Sequence, residues 1–250
     1  MTLKTVLMDL DGTVYRGKEL IDGASEAIDY IRSKGLNLFF FTNNSEKNRQ
    51  QIAERLIGMG IDCSAEDVIN SGYIAMLMIK ERRYGKVFLS GSPSLREEFL
   101  KGGIELTDGN DADALVIGMD TEFTFQKMKA ALNAALNAKV IIACNVERIY
   151  PCGEGKYCPG NGALVASIEY SSNRKVDEII GKPNTPMLEY LMKITGDKPD
   201  EIVVVGDTFD SDIALAKKCN AKGILIGSNP GCEICIGSIA ELPGILEKLI

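Results

Sequence analysis

Short apolar runs alternate with amphipathic stretches along this chain. The runs at 5–10, 36–41 and 201–205 contain few polar positions, which is typical of strands buried on both faces of a parallel sheet. Between the first two runs, apolar residues recur with helical spacing over 23–34, and Gly35 follows as a C-terminal cap. This alternation predicts an α/β fold with a doubly wound parallel sheet.

The rest of the chain continues the same alternation. We predict further strands at 86–89, 113–118, 139–144, 178–180 and 222–226, and helices at 46–59, within 65–81, and at 93–101, 124–136, 163–170, 185–193, up to 218 and from 238. Ser45 is expected to cap the helix at 46–59. The strands between 82 and 178 do not end in paired acids, unlike the first one. We therefore predict a second α/β domain at 82–178, inserted into a core domain made of 1–81 and 179–250.

Composition and charge narrow the classes of function. The chain has 250 residues, 45 % of them apolar and 25 % charged, as in ordinary globular proteins. Its net charge of −7 argues against a nucleic acid polymer as partner, because phosphate backbones are bound by clustered Lys and Arg. No apolar run reaches the roughly 18 residues of a membrane span, and no secretory signal is evident. We expect a cytoplasmic protein that does not enter a membrane.

The chain contains no histidine and seven cysteines. Without histidine, every Ser-His-Asp, Cys-His or His-metal mechanism is excluded. Any chemistry must use carboxylates, lysine, hydroxyls, thiols or a hard metal ion. Cys232 and Cys235 form a single CxxC, which we interpret as incidental thiols because structural zinc usually needs four ligands.

Polar residues follow four of the predicted strands at the point where each strand ends. They are Asp9 and Asp11, the TNNS segment at 42–45, Lys182, and the acidic segment at 207–212. Because ligands bind at the carboxyl ends of strands in open α/β sheets, we expect these groups to converge. Each cluster alone is also compatible with a polar turn or with a cap on the following helix.

These clusters carry a family resemblance. The DLDGT, TNN, GKP and GDTFDSD segments resemble, in that order, the four motifs of the haloacid dehalogenase-like superfamily. The large insertion resembles the α/β cap of its NagD-like, p-nitrophenyl-phosphatase-like branch, as does the CPGNGALVASIE segment that starts at Cys158. The resemblance covers essentially the whole chain and implies a Rossmann-like core with this cap domain.

The resemblance implies a Mg²⁺-dependent phosphomonoesterase that acts on a small phosphate ester, such as a sugar phosphate or a nucleoside monophosphate. Asp9 would be the nucleophile that forms an aspartyl-phosphate. Asp11 would be the general acid and then the general base. The metal would bind the side chains of Asp9 and Asp207 and the backbone carbonyl of Asp11, while Asp212, or its rival Asp210, would orient a metal-bound water.

The remaining site residues would contact the substrate. Gly12 would let the backbone approach the phosphate, and Lys182 would neutralise its charge. Thr42, Asn43 and Asn44 would donate to phosphoryl oxygens. The NPD triplet of the related branch is replaced here by Asn-Val-Glu, so we expect Glu147 to help shape the leaving-group pocket and the inherited substrate preference to differ.

Other functions remain open from the sequence. Receiver domains of signalling proteins also combine acids, a hydroxyl residue and a lysine on a doubly wound sheet, so a phospho-accepting signalling or sensor domain without turnover is one alternative. Another phosphotransferase of the same superfamily is a second. The chain is expected to act as a monomer or a homodimer.

Overall fold

The computed structural model describes residues 3–153 and 155–250. These residues form two compact units. The first unit contains the described residues up to Thr42, together with Ile52–Ile69 and Lys182–Ile250, and the second contains Asn43–Gln51 and Asn70–Gly181. Among the described residues, no helix is both long enough and apolar enough to cross a membrane.

Strands and helices alternate along the described chain. The strands are β1 (Thr5–Met8), β2 (Tyr15–Arg16), β3 (Glu19–Leu20), β4 (Asn37–Thr42), β5 (Val68–Asn70), β6 (Val87–Ser90), β7 (Ala114–Ile117), β8 (Val140–Ala143), β9 (Ile149–Pro151), β10 (Tyr157–Pro159), β11 (Glu178–Ile179), β12 (Ile202–Gly206), β13 (Lys222–Ile226) and β14 (Ile234–Ile236). The α-helices are α1 (Ala24–Ser33), α2 (Arg49–Gly58), α3 (Ser71–Glu81), α4 (Pro93–Lys101), α5 (Phe125–Asn137), α6 (Asn161–Ser172), α7 (Pro186–Thr195), α8 (Ala214–Lys218) and α9 (Leu242–Leu246). Short 3₁₀ turns lie at Ala65–Asp67, Pro199–Glu201 and Ile239–Glu241, and a π-helical turn lies at Phe209–Ile213.

A six-stranded sheet organises the first unit, with its strands in the order β14-β13-β12-β1-β4-β5. The central strand β1 pairs in parallel with β12 and β4, so that Leu7 lies opposite Val204 and Phe39. Every side chain of β1 is buried because both faces of the sheet are covered. The carboxyl ends of these three strands therefore lie at one edge of the sheet, and the predicted α/β class is confirmed.

A four-stranded parallel sheet in the order β11-β8-β7-β6 organises the second unit. Its core contains Phe88, Leu115 and Ile141 together with apolar residues of α5 and α6. Helix α3 packs on α4 in the same unit, since a side chain at Gly72 would meet the Leu95 side chain at 2.5 Å.

The division into units differs from the predicted boundaries. The second unit begins at Asn70 and not at 82, because α3 packs with α4. It ends at Gly181 and not at 178. The prediction that the strand before Lys182 belongs to the core sheet is wrong, because β11 pairs with β8. That the second unit acts as a cap stays a prediction.

Local elements also depart from the prediction. Helix α2 begins at Arg49, because the Ser45 hydroxyl accepts from the Met119 amide at 2.9 Å and the Asn48 side chain accepts from the Gln51 amide at 2.9 Å. Ser45 is therefore not the cap. The segment at 65–81 contains a strand as well as a helix, and the hairpins β2–β3 and β9–β10 and strand β14 were not predicted.

Candidate active site

Three carboxylates gather at the edge where the central strands of the first sheet end. Asp9 directly follows β1, Asp207 directly follows β12, and Asp212 lies in the π-helical turn after it. One carboxylate oxygen from each lies within 4.8 Å of the others. The polar groups after β1 and β12 therefore converge as the sequence predicts.

Lys182 links two of these carboxylates. Its Nζ donates to Asp9 Oδ1 at 2.5 Å, to Asp212 Oδ1 at 2.7 Å and to the Phe41 carbonyl oxygen at 3.1 Å. Its side chain is 3 % exposed, and that of Asp212 is 1 % exposed. A lysine buried to this extent with three acceptors is a built part of the site and not a solvated surface charge.

Close backbone packing places Asp212 rather than Asp210 in the cluster. A side chain at Gly206 would lie 2.2 Å from the Asp212 carboxyl carbon, so only glycine leaves room for this carboxylate. The Thr208 amide donates to Asp212 Oδ2 at 3.1 Å. Asp210 is exposed and is not a member of the carboxylate cluster.

The absence of a side chain at Gly12 leaves room for the Asp207 carboxylate. The Gly12 φ of +91° lies in the left-handed region, and a Cβ there would come within 2.0 Å of Asp207 Oδ2. The Thr208 hydroxyl donates to Asp207 Oδ1 at 3.1 Å. Gly12, which was predicted to let the backbone approach a phosphate, thus makes room for the Asp207 carboxylate. Its contact with phosphate stays a prediction.

Asp11 lies outside the carboxylate cluster and has partners of its own. The Tyr15 hydroxyl donates to Asp11 Oδ2 at 3.3 Å. The Arg55 guanidinium carbon lies 4.0 Å from the centre of the Tyr15 ring. Sequence reasoning missed Tyr15 and Arg55, because an aromatic residue in an apolar segment is usually a core residue and an arginine on a helix is usually solvated.

Burial shapes the acid–base behaviour of the carboxylates. It raises the pKa of Asp9 to about 8, with Lys182 opposing this effect and Asp212 adding to it. Partial desolvation also raises the pKa of Asp11, against the opposing influence of Arg55 and Tyr15. Partial desolvation of the Asp207 carboxylate raises its pKa as well. Burial alone lowers the pKa of Lys182, but Asp212 and Asp9 outweigh it and raise that pKa above its usual range.

The cluster has the composition of a site for a hard metal ion. Three carboxylates, Asp9, Asp207 and Asp212, face one lysine, so negative charge is in excess in a largely buried place. Oxygen donors of this kind suit Mg²⁺ or Ca²⁺. A bound cation would also remove the cost of ionising the buried Asp9.

The predicted phosphate-binding residues lie in both units. Thr42 ends β4 in the first unit and is buried. Asn43 and Asn44 belong to the second unit, where the Asn44 side-chain oxygen accepts from the amides of Glu46 and Lys47, each at 3.0 Å. That oxygen therefore stabilises the turn before α2.

Glu147 is tied to Asn43 within the second unit. Asn43 Nδ2 donates to Glu147 Oε1 at 2.8 Å. The Asn43 carbonyl oxygen accepts from the Ser71 hydroxyl and from Asn145 Nδ2, each at 2.7 Å. Glu147 is thus a partner of a residue in the TNN motif, a link that no local sequence signal indicates.

Comparisons with known proteins agree with this arrangement. A family described as haloacid dehalogenase-like hydrolase matches residues 6–105, and one described as HAD-hydrolase-like matches 179–231. The sugar-phosphatase AraL of Bacillus subtilis is 33 % identical over 223 residues, which cover 88 % of this chain and 82 % of the relative.

Solved structures show the same similarity over nearly the full length. The p-nitrophenyl phosphatase from Archaeoglobus fulgidus has a TM-score of 0.90 at 26 % identity, with 98 % of this chain and 100 % of that chain covered. NagD from Escherichia coli K-12 has a TM-score of 0.87 at 27 % identity, with 96 % and 98 % covered. The resemblance noted from four short motifs is confirmed, and the chain belongs to the haloacid dehalogenase-like hydrolases.

Proposed function

We propose that this protein is a Mg²⁺-dependent phosphomonoesterase that hydrolyses a small organic phosphate through an aspartyl-phosphate at Asp9. The observation that carries the proposal is the buried Lys182, hydrogen-bonded to both Asp9 and Asp212 inside the carboxylate cluster. The names of the relatives, a sugar phosphatase and a p-nitrophenyl phosphatase, support it. They favour a sugar phosphate as the substrate over a nucleoside monophosphate.

In the first step a carboxylate oxygen of Asp9 attacks phosphorus while the bond from phosphorus to the leaving oxygen breaks. Asp11 gives its proton to that oxygen, and the alcohol departs. In the second step a water gives a proton to Asp11 and attacks phosphorus, so the bond to Asp9 breaks and inorganic phosphate is released. Burial raises the pKa of Asp11, which favours the protonated form that the first step needs.

Charge compensation allows an anion to attack an anion. Bound Mg²⁺, held by the side chains of Asp9 and Asp207 with Asp212 orienting a metal-bound water, would supply positive charge that offsets the repulsion between carboxylate and phosphate. Lys182 adds a fixed positive charge and orients Asp9 through its 2.5 Å hydrogen bond. The backbone carbonyl of Asp11 as a metal ligand, and phosphate contacts of Gly12, Thr42, Asn43 and Asn44, stay predictions.

The second unit is the part that we expect to select the leaving group, with Glu147 as one contributor. The hydrogen bond from Asn43 gives Glu147 a fixed orientation that supports this role. We also propose a cytoplasmic location, which the free thiols of all seven cysteines support. The protein is proposed to act as a monomer or a homodimer.

Hydrolysis of p-nitrophenyl phosphate tests the proposal. Activity should require Mg²⁺, disappear in EDTA and disappear in Asp9→Asn, while Asp29→Asn on the exposed face of α1 should retain it. Absence of activity on both p-nitrophenyl phosphate and acetyl phosphate would refute the proposal. A stable phosphoryl group on Asp9 without turnover would instead establish the signalling alternative.

A further inference from the structure

A tyrosine hydroxyl fixes one oxygen of the predicted general acid. Tyr15 donates to Asp11 Oδ2 at 3.3 Å. Because that oxygen is occupied as an acceptor, the proton of a protonated Asp11 carboxyl resides on Oδ1. The contact therefore restrains the rotation of the carboxyl group and leaves Oδ1 to carry the transferable proton.

The turn at 10–15 holds the tyrosine in place from the backbone side. The amides of Thr13, Val14 and Tyr15 donate to the Leu10 carbonyl oxygen at 3.2, 2.9 and 3.2 Å. The Gly12 amide donates to the Tyr15 carbonyl oxygen at 2.8 Å. This turn follows Asp9 directly, so the nucleophile, the acid and the tyrosine belong to one tightly bonded segment.

Side-chain packing holds the tyrosine ring. Tyr15 is 3 % exposed. The Arg55 guanidinium carbon lies 4.0 Å from the ring centre, and Arg55 Nη2 also donates to the Gly17 carbonyl oxygen. A guanidinium that lies over the ring and is itself tied to the backbone restricts the movement of the ring.

We infer that Tyr15 is a positioning residue that holds the Asp11 carboxyl group in the orientation for proton transfer to the leaving oxygen. Tyr15 does not exchange a proton with the substrate; it acts through Asp11. The inference rests on the proposed function, because it assigns Tyr15 a part in the first step of that reaction.

Comparing esters with good and poor leaving groups distinguishes a positioning role of Tyr15 from a merely structural one. Phenolate is a poor leaving group and needs the Asp11 proton, whereas p-nitrophenolate departs without much help. A general acid contributes about 10²–10⁴-fold to such a step, which sets the upper limit of what its misplacement can cost. Loss of Tyr15 positioning should therefore slow phenyl phosphate far more than p-nitrophenyl phosphate.

The test compares kcat/KM of wild type, Tyr15→Phe and Tyr30→Phe on these two esters. We expect Tyr15→Phe to lose about tenfold on phenyl phosphate, the upper end of the range for one hydrogen bond between neutral groups, and less than about threefold on p-nitrophenyl phosphate. Tyr30→Phe is the matched control, since the Tyr30 hydroxyl also donates to a carboxylate of the first unit, that of Glu247. The control should change neither value.

The ratio of the two losses is independent of how much of the variant folds, because unfolded protein lowers both rates equally. Equal losses on both esters, or no loss on either, would overturn the role of Tyr15 and leave the phosphatase proposal intact. A wild-type protein inactive on both esters with Mg²⁺ would overturn the proposed function and this inference with it.

Discussion

Replacing Lys182 by methionine removes the positive charge that holds the carboxylate cluster together. Its Nζ lies 2.5 Å from Asp9 Oδ1 and 2.7 Å from Asp212 Oδ1, and its side chain is 3 % exposed. The methionine keeps most of the volume, so the change isolates the charge. Without the lysine, the buried Asp212 and the largely buried Asp9 face each other as like charges, with the exposed Asp207 beside them.

The size of the effect follows from the burial of the pair. Removing one partner of a buried ion pair costs about 3–5 kcal/mol, because the other charge stays buried and unpaired. The cost depends on pH. Lys182 opposes the rise in the pKa of Asp9 to about 8, so its removal raises that pKa further. Folded wild type already keeps the Asp9 proton up to about pH 8. Only above that pH does the folded variant retain a proton that folded wild type has released, so only there does the variant lose stability more steeply as pH rises.

Urea unfolding in EDTA, followed by circular dichroism, measures this difference. We expect a loss of about 3–5 kcal/mol near pH 10 and a smaller loss near pH 7, where Asp9 is protonated in both folded proteins. Lys218→Met is the control, since the Nζ of this exposed lysine donates to the Pro183 carbonyl oxygen at 2.9 Å and to no other described residue. It should cost less than about 0.5 kcal/mol. A loss below about 1 kcal/mol near pH 10, or a loss of the same size near pH 7 and pH 10, would refute this expectation.

Three further predictions concern the same site and the second unit. In urea unfolding, Gly12→Ala should lower the free energy of unfolding by about 1–3 kcal/mol more than Gly35→Ala, and it should abolish stabilisation by Mg²⁺. The reason is that a Cβ at Gly12 would lie 2.0 Å from Asp207 Oδ2, whereas a Cβ at Gly35, with φ of +70°, would have nothing within 4 Å. Equal losses in the two variants would contradict this. Mg²⁺ should raise the melting temperature more near pH 9 than near pH 6, because burial raises the pKa of Asp9 to about 8 and a proton competes with the metal below that value; a shift independent of pH would be evidence against the metal site. Glu147→Ala, which removes the acceptor for Asn43 Nδ2 at 2.8 Å, should alter selectivity across a panel of sugar phosphates and nucleotides; an unchanged selectivity would remove Glu147 from the substrate pocket.

The carboxyl edge of the sheet was predictable because it depends on a simple regularity. Two apolar runs are long enough to form buried strands, and each is followed by an acid, Asp9 or Asp207. Parallel pairing of β1 with β12 brings the ends of these strands together. Lys182 was predicted for the site although its preceding strand was placed in the wrong sheet. The chain passes from one unit to the other between this strand and the lysine: β11 pairs with β8 in the second unit, whereas Lys182 belongs to the first.

The features that were missed depend on partners distant in sequence. Ser45 has the right residue type for a helix cap, but the Met119 amide uses its hydroxyl. Strand β14 has three residues, too few for a periodic pattern, and it forms because β13 offers an edge. Tyr15 looks like a core residue in the sequence, and only the turn at 10–15 shows that its hydroxyl meets Asp11. Such tertiary contacts override local propensity.

Chemical trapping of the covalent intermediate tests the central claim most directly. Asp11→Asn with Mg²⁺ and p-nitrophenyl phosphate should release p-nitrophenol but lack the base for the second step, so the phosphoryl group should accumulate on Asp9. Borohydride reduction after acid quenching converts an aspartyl-phosphate to homoserine, which peptide mass spectrometry locates. We expect homoserine at position 9 and at no other aspartate. Release of p-nitrophenol with Asp9 unmodified, or homoserine at another position, would contradict it.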